Sequence, residues 1–169
     1  MVNISTRFVV IEGNRLAPMD GLAGHGIAFG SETSGWIRDV VVRDMCLNGV
    51  EALVRMKSMR GRGGGVERVM YENVSGVVEQ AIQITLEYHK KSTKTNASAT
   101  PIVRDIFVRN VAVTATTSAI VCDGLPDSPI TNLTLANVSI TGVGSTAKQV
   151  CDHCDGAFMW THPKLCIKN

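Results

Sequence analysis

Apolar residues along this chain recur in a fixed short pattern rather than at helical spacing. The pattern is apolar-x-x-apolar-x-apolar-x-Asn/Asp. It runs as Ile37-Arg38-Asp39-Val40-Val41-Val42-Arg43-Asp44 and again as Val66-Glu67-Arg68-Val69-Met70-Tyr71-Glu72-Asn73. It returns as Val103-Arg104-Asp105-Ile106-Phe107-Val108-Arg109-Asn110 and as Ile130-Thr131-Asn132-Leu133-Thr134-Leu135-Ala136-Asn137, with Phe8-Val9-Val10-Ile11-Glu12 a weaker first copy. A second short apolar stretch follows each copy, at 26–30, 52–58, 81–86 and 119–122. The period is roughly 27–37 residues, and alternate positions are apolar within each stretch. Helical solenoids share such periods but place apolar residues three and four apart. Here they stand two apart and are bounded by Gly, Asn and Asp. The chain is therefore predicted to be all-β, a stack of about five coils of a parallel β-helix. An ordinary β-sandwich is the rival.

Asn73, Asn110 and Asn137 are expected to stack at one corner, where amide side chains can bond the turns above and below. Residues 90–100, rich in Lys, Ser, Thr and Asn, read as a loop inserted in one coil. The expected organisation is one β-helix over residues 1–150 and a cysteine-bearing tail over 151–169.

Composition narrows the function classes. The chain has 169 residues, 44% hydrophobic and 19% charged, with only 5% aromatic and 16 glycines. That balance favours aliphatic packing between many turns. The net charge of +2 does not suit a whole-chain nucleic-acid binder. The cations are clustered, however: Arg55, Lys57, Arg60, Arg62 and Arg68 share one short stretch, which a solvated face would also explain. No apolar run reaches the roughly 18 residues that a membrane span needs, and a monomer is expected. The first residues carry no secretory signal. Five sequons nevertheless begin at Asn3, Asn73, Asn96, Asn132 and Asn137, and three of the five cysteines crowd the C-terminus. Those features suit a secreted protein and are best explained by a chain missing its natural N-terminus.

Two short blocks carry the chemistry. Gly24-His25-Gly26 sets an imidazole between glycines at the mouth of a strand, and the run continues to Gly30-Ser31-Glu32. In Arg55-Met56-Lys57 the alternation of a strand turns Val54 and Met56 one way and Arg55 and Lys57 the other. Two residues apart, the cations stand roughly 6.5–7 Å from each other along the strand. That suits an extended anion better than a single buried ion pair. At the C-terminus, Cys151-Asp152-His153-Cys154 with His162 and Cys166 could bind zinc or act as a redox pair. Cys46 and Cys122, on or beside strands, are expected to be core thiols.

Taken together these motifs resemble the polygalacturonases, inverting glycoside hydrolases that cut the pectin backbone. Gly24-His25-Gly26 with Gly30-Ser31-Glu32-Thr33-Ser34-Gly35 resembles the family's histidine motif and its trailing turn. Arg55-Met56-Lys57 resembles its arginine-x-lysine motif, and Gly61-Arg62-Gly63-Gly64 the arginine-glycine loop of plant-type members. Tyr88 matches the position of the active-site tyrosine. Cys151 and Cys166 match a C-terminal disulfide spacing. The likeness runs from about Thr6 onward and looks like the family's C-terminal half. It implies a right-handed, single-stranded, pectin-lyase-like β-helix that hydrolyses α-1,4-galacturonan with inversion outside the cell.

By that resemblance Arg55 and Lys57 would grip a galacturonate carboxylate, one as a fork and one as a point charge. Tyr88 would meet a neighbouring sugar, and His25 would support the reaction by bonding a hydroxyl or tuning a carboxylate. No metal or organic cofactor is implied. The partner is acidic polysaccharide, with no nucleic acid and no membrane. The family's aspartates, in an Asn-Thr-Asp motif and an Asp-Asp pair, are missing from this sequence. Inversion needs one carboxylic acid and one carboxylate on opposite faces of the bond. Asp20, Glu32, Asp39 and Asp44 are the nearby acids, and Asp20 is the one stand-in. The isolated chain is therefore expected to be inactive. The alternatives are a non-catalytic binding module for acidic polysaccharide and a truncated product without function.

Overall fold

The structure, a computed structural model, describes residues 9–13, 15–16, 24, 26–88, 99–144 and 149–167. His25, Asp20 and nearly all of the inserted loop at 90–100 lie outside the described residues.

Among the described residues, nine strands form one continuous parallel stack. They are β1 (Val9–Glu12), β2 (Arg15–Leu16), β3 (Ile27–Gly30), β4 (Ile37–Lys57), β5 (Gly65–Thr85), β6 (Ile102–Asp123), β7 (Ile130–Thr141), β8 (Val150–Asp152) and β9 (Cys154–His162). The order is β1-β4-β5-β6-β7-β9, with β2 and β3 also on β4 and β8 on β6. Every one of these pairings is parallel, which rules out the antiparallel sandwich. Six levels result, the first and last being partial, close to the five coils expected.

The register reproduces the sequence repeat. Val40, Val69, Ile106 and Leu133 lie one above another, as do Val42, Tyr71, Val108 and Leu135. The second apolar stretch of each coil forms its own column, Val54, Ile82 and Ile120. All of these side chains are buried, so the core is a set of aliphatic columns along the axis. Phe29 meets Tyr71 edge to face at 6.4 Å between ring centroids.

Long strands can turn corners because single residues adopt left-handed backbone. Asp39, Arg68, Asp105 and Asn132 do so at one corner, with φ of 57°, 53°, 56° and 55°. Asp44, Asn73, Asn110 and Asn137 do so at the next, with φ of 55°, 54°, 53° and 55°. Asp and Asn tolerate this region better than other side-chain-bearing residues. The expected corner stack is present and starts one coil earlier. Asn73 Nδ2 donates to Asp44 Oδ1 at 3.0 Å, Asn110 Nδ2 to Asn73 Oδ1 at 3.3 Å, and Asn137 Nδ2 to Asn110 Oδ1 at 3.1 Å. Asn73, Asn132 and Asn137, all sequon residues, have their side-chain nitrogens engaged in these ladders.

Two disulfides close the last coils. Cys151–Cys166 is the pairing that the resemblance implied. Cys122 is not a core thiol: it is bonded to Cys154, although its side chain is fully buried. It fills a core position on β6, and the turn into β9 brings Cys154 against it one coil later. Cys46 is the free cysteine. With Cys151 and Cys154 both oxidised, neither offers a thiolate to zinc or a reduced pair to redox chemistry.

Candidate active site

The site is built where β3, β4, β5, β6 and β8 end side by side. Ile27 pairs with Val54, Val54 with Ile82 and Ile82 with Ile120, so these ends share one sheet. Val54 and Met56 point into the core, at 0% and 1% exposure. Arg55 and Lys57 therefore point out, as alternation required. Two outward rows follow from the register. One is Ala28, Arg55, Gln83 and Val121; the other is Gly30, Lys57, Thr85, Asp123 and Asp152.

Arg55 is not on an open surface. It is only 6% exposed. Its Nη2 lies 3.4 Å from Glu51 Oε1, and its Cζ lies 6.0 Å from the centre of the Tyr88 ring. Its Nε and Nη1 are buried without a hydrogen-bond partner. Lys57 Nζ sits 5.0 Å from the same ring centre. Tyr88 thus spans both cations, held by its backbone N–H on Ser58 O at 3.1 Å. The structure brings Arg55, Lys57 and Tyr88 into one cluster. A guanidinium with orphaned donors under cover costs stability, and such groups concentrate at functional sites.

The glycine motifs fit by lack of room. Gly24 O accepts from Glu51 N at 2.9 Å. A Cβ on Gly26 would stand 2.8 Å from Ala52 O, and one on Gly30 would stand 1.9 Å from Lys57 O. Gly30 also holds a φ of 96°. Any side chain there would collide with the Lys57 backbone. Residues 26–30 are therefore pressed directly on the arginine-lysine strand.

Turns above the rows knit the same motifs together. Thr33 Oγ1 lies 2.7 Å from Ser58 Oγ and donates to Gly63 O at 2.9 Å. Glu32 accepts from Ser34 N at 3.0 Å and pairs with Arg62. The Ser34 N–H, helped by its hydroxyl and by Arg62, holds the Glu32 carboxyl below its usual range. Arg60 forks onto Asp127 two coils away.

The acids considered from sequence now have places. Asp39 pairs with Arg68 at 2.6 Å, Asp44 belongs to the corner ladder, and Glu32 is a turn residue. Glu51 was not singled out from sequence, yet it is the carboxylate beside Arg55. Its signal was parity: residues 51, 55 and 57 fall on the same phase of a period-2 pattern. Among the described residues, no group of three His, Cys, Asp or Glu could hold a metal ion.

Comparison with known proteins agrees with these motifs. Residues 10–158 match the model of glycosyl hydrolases family 28. An exopolygalacturonase of Rhizopus delemar is 30% identical, over 79% of this chain and 40% of its own length. A probable polygalacturonase of Vitis vinifera is 28% identical, over 83% of this chain and 29% of its own. An endo-polygalacturonase of Pectobacterium parmentieri is 34% identical, over 70% and 28%. The chain thus spans between about a quarter and two-fifths of the length of these relatives. The crystal structure of a hyperthermoactive exopolygalacturonase from Thermotoga maritima superposes with a TM-score of 0.80 at 24% identity. That match covers 94% of this chain and 34% of the other, and identifies the fold as a right-handed parallel β-helix. With the family model matched over most of its length, the chain belongs to glycosyl hydrolases family 28, the polygalacturonase family.

Proposed function

We propose that this chain forms the substrate-gripping side of a polygalacturonase-type site that takes α-1,4-galacturonan. The observation that carries the proposal is the cluster of Arg55, Lys57 and Tyr88, with two Arg55 donors buried and unpaired. A galacturonate carboxylate would draw on the guanidinium and the ammonium, and the Tyr88 ring would pack beside the sugar. His25 would support the reaction by bonding a hydroxyl or tuning a carboxylate.

Hydrolysis with inversion would need a proton donor and a water-activating carboxylate on opposite sides of the bond. Asp39 and Asp44 are tied to the corners, Glu32 to Arg62 and Glu51 to Arg55. With no Asn-Thr-Asp and no Asp-Asp in the sequence, the 169 residues alone are expected to bind galacturonan without cutting it. The same face would serve a non-catalytic binding module. Action outside the cell is supported by the two disulfides.

The test pairs retention on a pectate column with an assay for new reducing ends. The chain should be retained at low ionic strength and released by salt. Arg55→Ala with Lys57→Ala should abolish retention, and no reducing ends should form. Turnover that Asp20→Asn removes would overturn the non-cutting half. Retention unaffected by the double substitution would overturn the grip.

A further inference from the structure

Gln83 follows Arg55 in register on the next strand, and its neighbours Ile82 and Ile84 are both buried in the core. Alternation therefore turns Gln83 outward beside Arg55. The full row is Ala28, Arg55, Gln83, Val121 and Val150. Only Arg55 and Gln83 carry polar side chains in it, and apolar residues flank the pair on both sides. Among the described residues, six buried side-chain atoms lack a hydrogen-bond partner, and three of them fall on this pair. They are Nε and Nη1 of Arg55, which are donors, and Oε1 of Gln83, an acceptor. The others lie on Arg38 and Arg62, each ion-paired to a glutamate, and on Tyr71 in the core. Donors without an acceptor thus stand beside an acceptor without a donor, yet the two side chains do not bond each other.

The amide and hydroxyl closest in sequence are engaged. Gln80 Oε1 accepts from Ser118 Oγ at 3.4 Å, and Thr85 Oγ1 accepts from Glu87 N at 3.2 Å. Gln83 differs, and a buried carbonyl oxygen left unpaired costs stability. The residue as a whole is only half-buried. Its last torsion is broad and two-fold, so the carboxamide can turn its oxygen toward the groove at small cost.

We propose that Gln83 is a specificity-determining residue of this groove, accepting a hydrogen bond from a ring hydroxyl of the sugar whose carboxylate Arg55 holds. The proposal rests on the galacturonan reading above. Adjacent strands lie roughly 4.8 Å apart, a gap that one sugar ring bridges between its carboxylate and a hydroxyl. One ligand then completes both orphaned groups, the cation by its acid and the amide by its hydroxyl. A unit whose hydroxyls are acylated or absent leaves Gln83 unpaired and is disfavoured.

The experiment measures affinity at low ionic strength for two galacturonate trimers. One is the natural trimer, and the other has its secondary ring hydroxyls replaced by hydrogen. Both are titrated into the wild type, Gln83→Met, Gln83→Leu, Gln80→Met, and Arg55→Ala with Lys57→Ala. Met keeps the length of Gln and removes the acceptor; Leu does the same with another shape, should one of the two fold poorly. The wild type should prefer the natural trimer about three- to tenfold. Either Gln83 variant should erase that preference by weakening the natural trimer alone. Its denaturant midpoint should be no lower than that of the wild type, because an orphaned oxygen has been removed. Gln80→Met should keep the full preference. No preference in the wild type, a preference that survives in the Gln83 variants, or an equal effect of Gln80→Met overturns this inference alone while the cation variant still weakens binding. Both trimers weakened alike, with a lower midpoint, would mark a structural amide and overturn it too. Natural-trimer binding that is absent, or indifferent to the cation variant, overturns the galacturonan reading and this inference with it.

Discussion

Arg55 and Tyr71 are both buried and both carry an unpaired polar atom, yet they lead to opposite expectations. Arg55 lies at the groove with Lys57 and Tyr88, where a ligand oxygen could complete it. The Tyr71 hydroxyl lies fully inside the core without a partner, and burial pushes its ionisation far up. Nothing in the groove needs that oxygen. Tyr71→Phe should therefore leave ligand affinity unchanged and raise stability by up to about 1 kcal/mol, seen as a higher denaturant midpoint at constant slope. A loss of stability would mean the hydroxyl is satisfied in solution. At this scale the sequence was legible wherever alternation decides: Val54 and Met56 in, Arg55 and Lys57 out. The depth of Arg55 was not legible, because its cover comes from Tyr88 on the following coil. Cys122 misled for a similar reason. Its core position is readable locally, but its disulfide to Cys154 depends on a turn 32 residues on.

Along the stack, the corners were legible in part. The Asn ladder followed from the repeat, since Asn both adopts left-handed backbone and bonds its copy in the next coil. Arg68 occupies the equivalent place at the other corner, where a repeat reading expects Asp or Asn. Its guanidinium reaches Asp39 below and Glu67 beside it. Glu67 in turn is 3% exposed and meets Arg38 at 3.0 Å and Arg104 at 2.6 Å. This hub joins three coils and could not be read from one copy of the repeat.

Burial opposes the Glu67 charge, but hydrogen bonds from Arg104 and Arg68 outweigh it and lower its pKa. A carboxyl lowered on folding contributes stability that is present above its unfolded pKa and lost as pH falls through the folded one. Melting temperature should thus decline as pH falls below about 4.5 toward the lower folded value. Glu67→Gln should cost about 3 kcal/mol at neutral pH and flatten that part of the profile. A variant that melts like the wild type at pH 7 would show the hub to be incidental.

For the molecule as a whole, the stack brings three separated sequence blocks side by side: the strand Ile27–Gly30 that follows the histidine motif, the arginine-lysine strand, and Tyr88 in the turn after β5. The columns of Val54, Ile82 and Ile120 fix those blocks in register, so the groove is a consequence of core packing. The architecture was legible because one period explained the whole chain. The catalytic acids were not, and Glu32 and Glu51 beside the groove are already engaged. The grip is the central claim, and calorimetric titration of a galacturonate trimer tests it most directly. The wild type should bind with salt-sensitive affinity, and Arg55→Ala with Lys57→Ala should lower that affinity at least tenfold while melting cooperatively. Equal affinity in the two proteins, or no binding by a folded wild type at low ionic strength, would contradict the account.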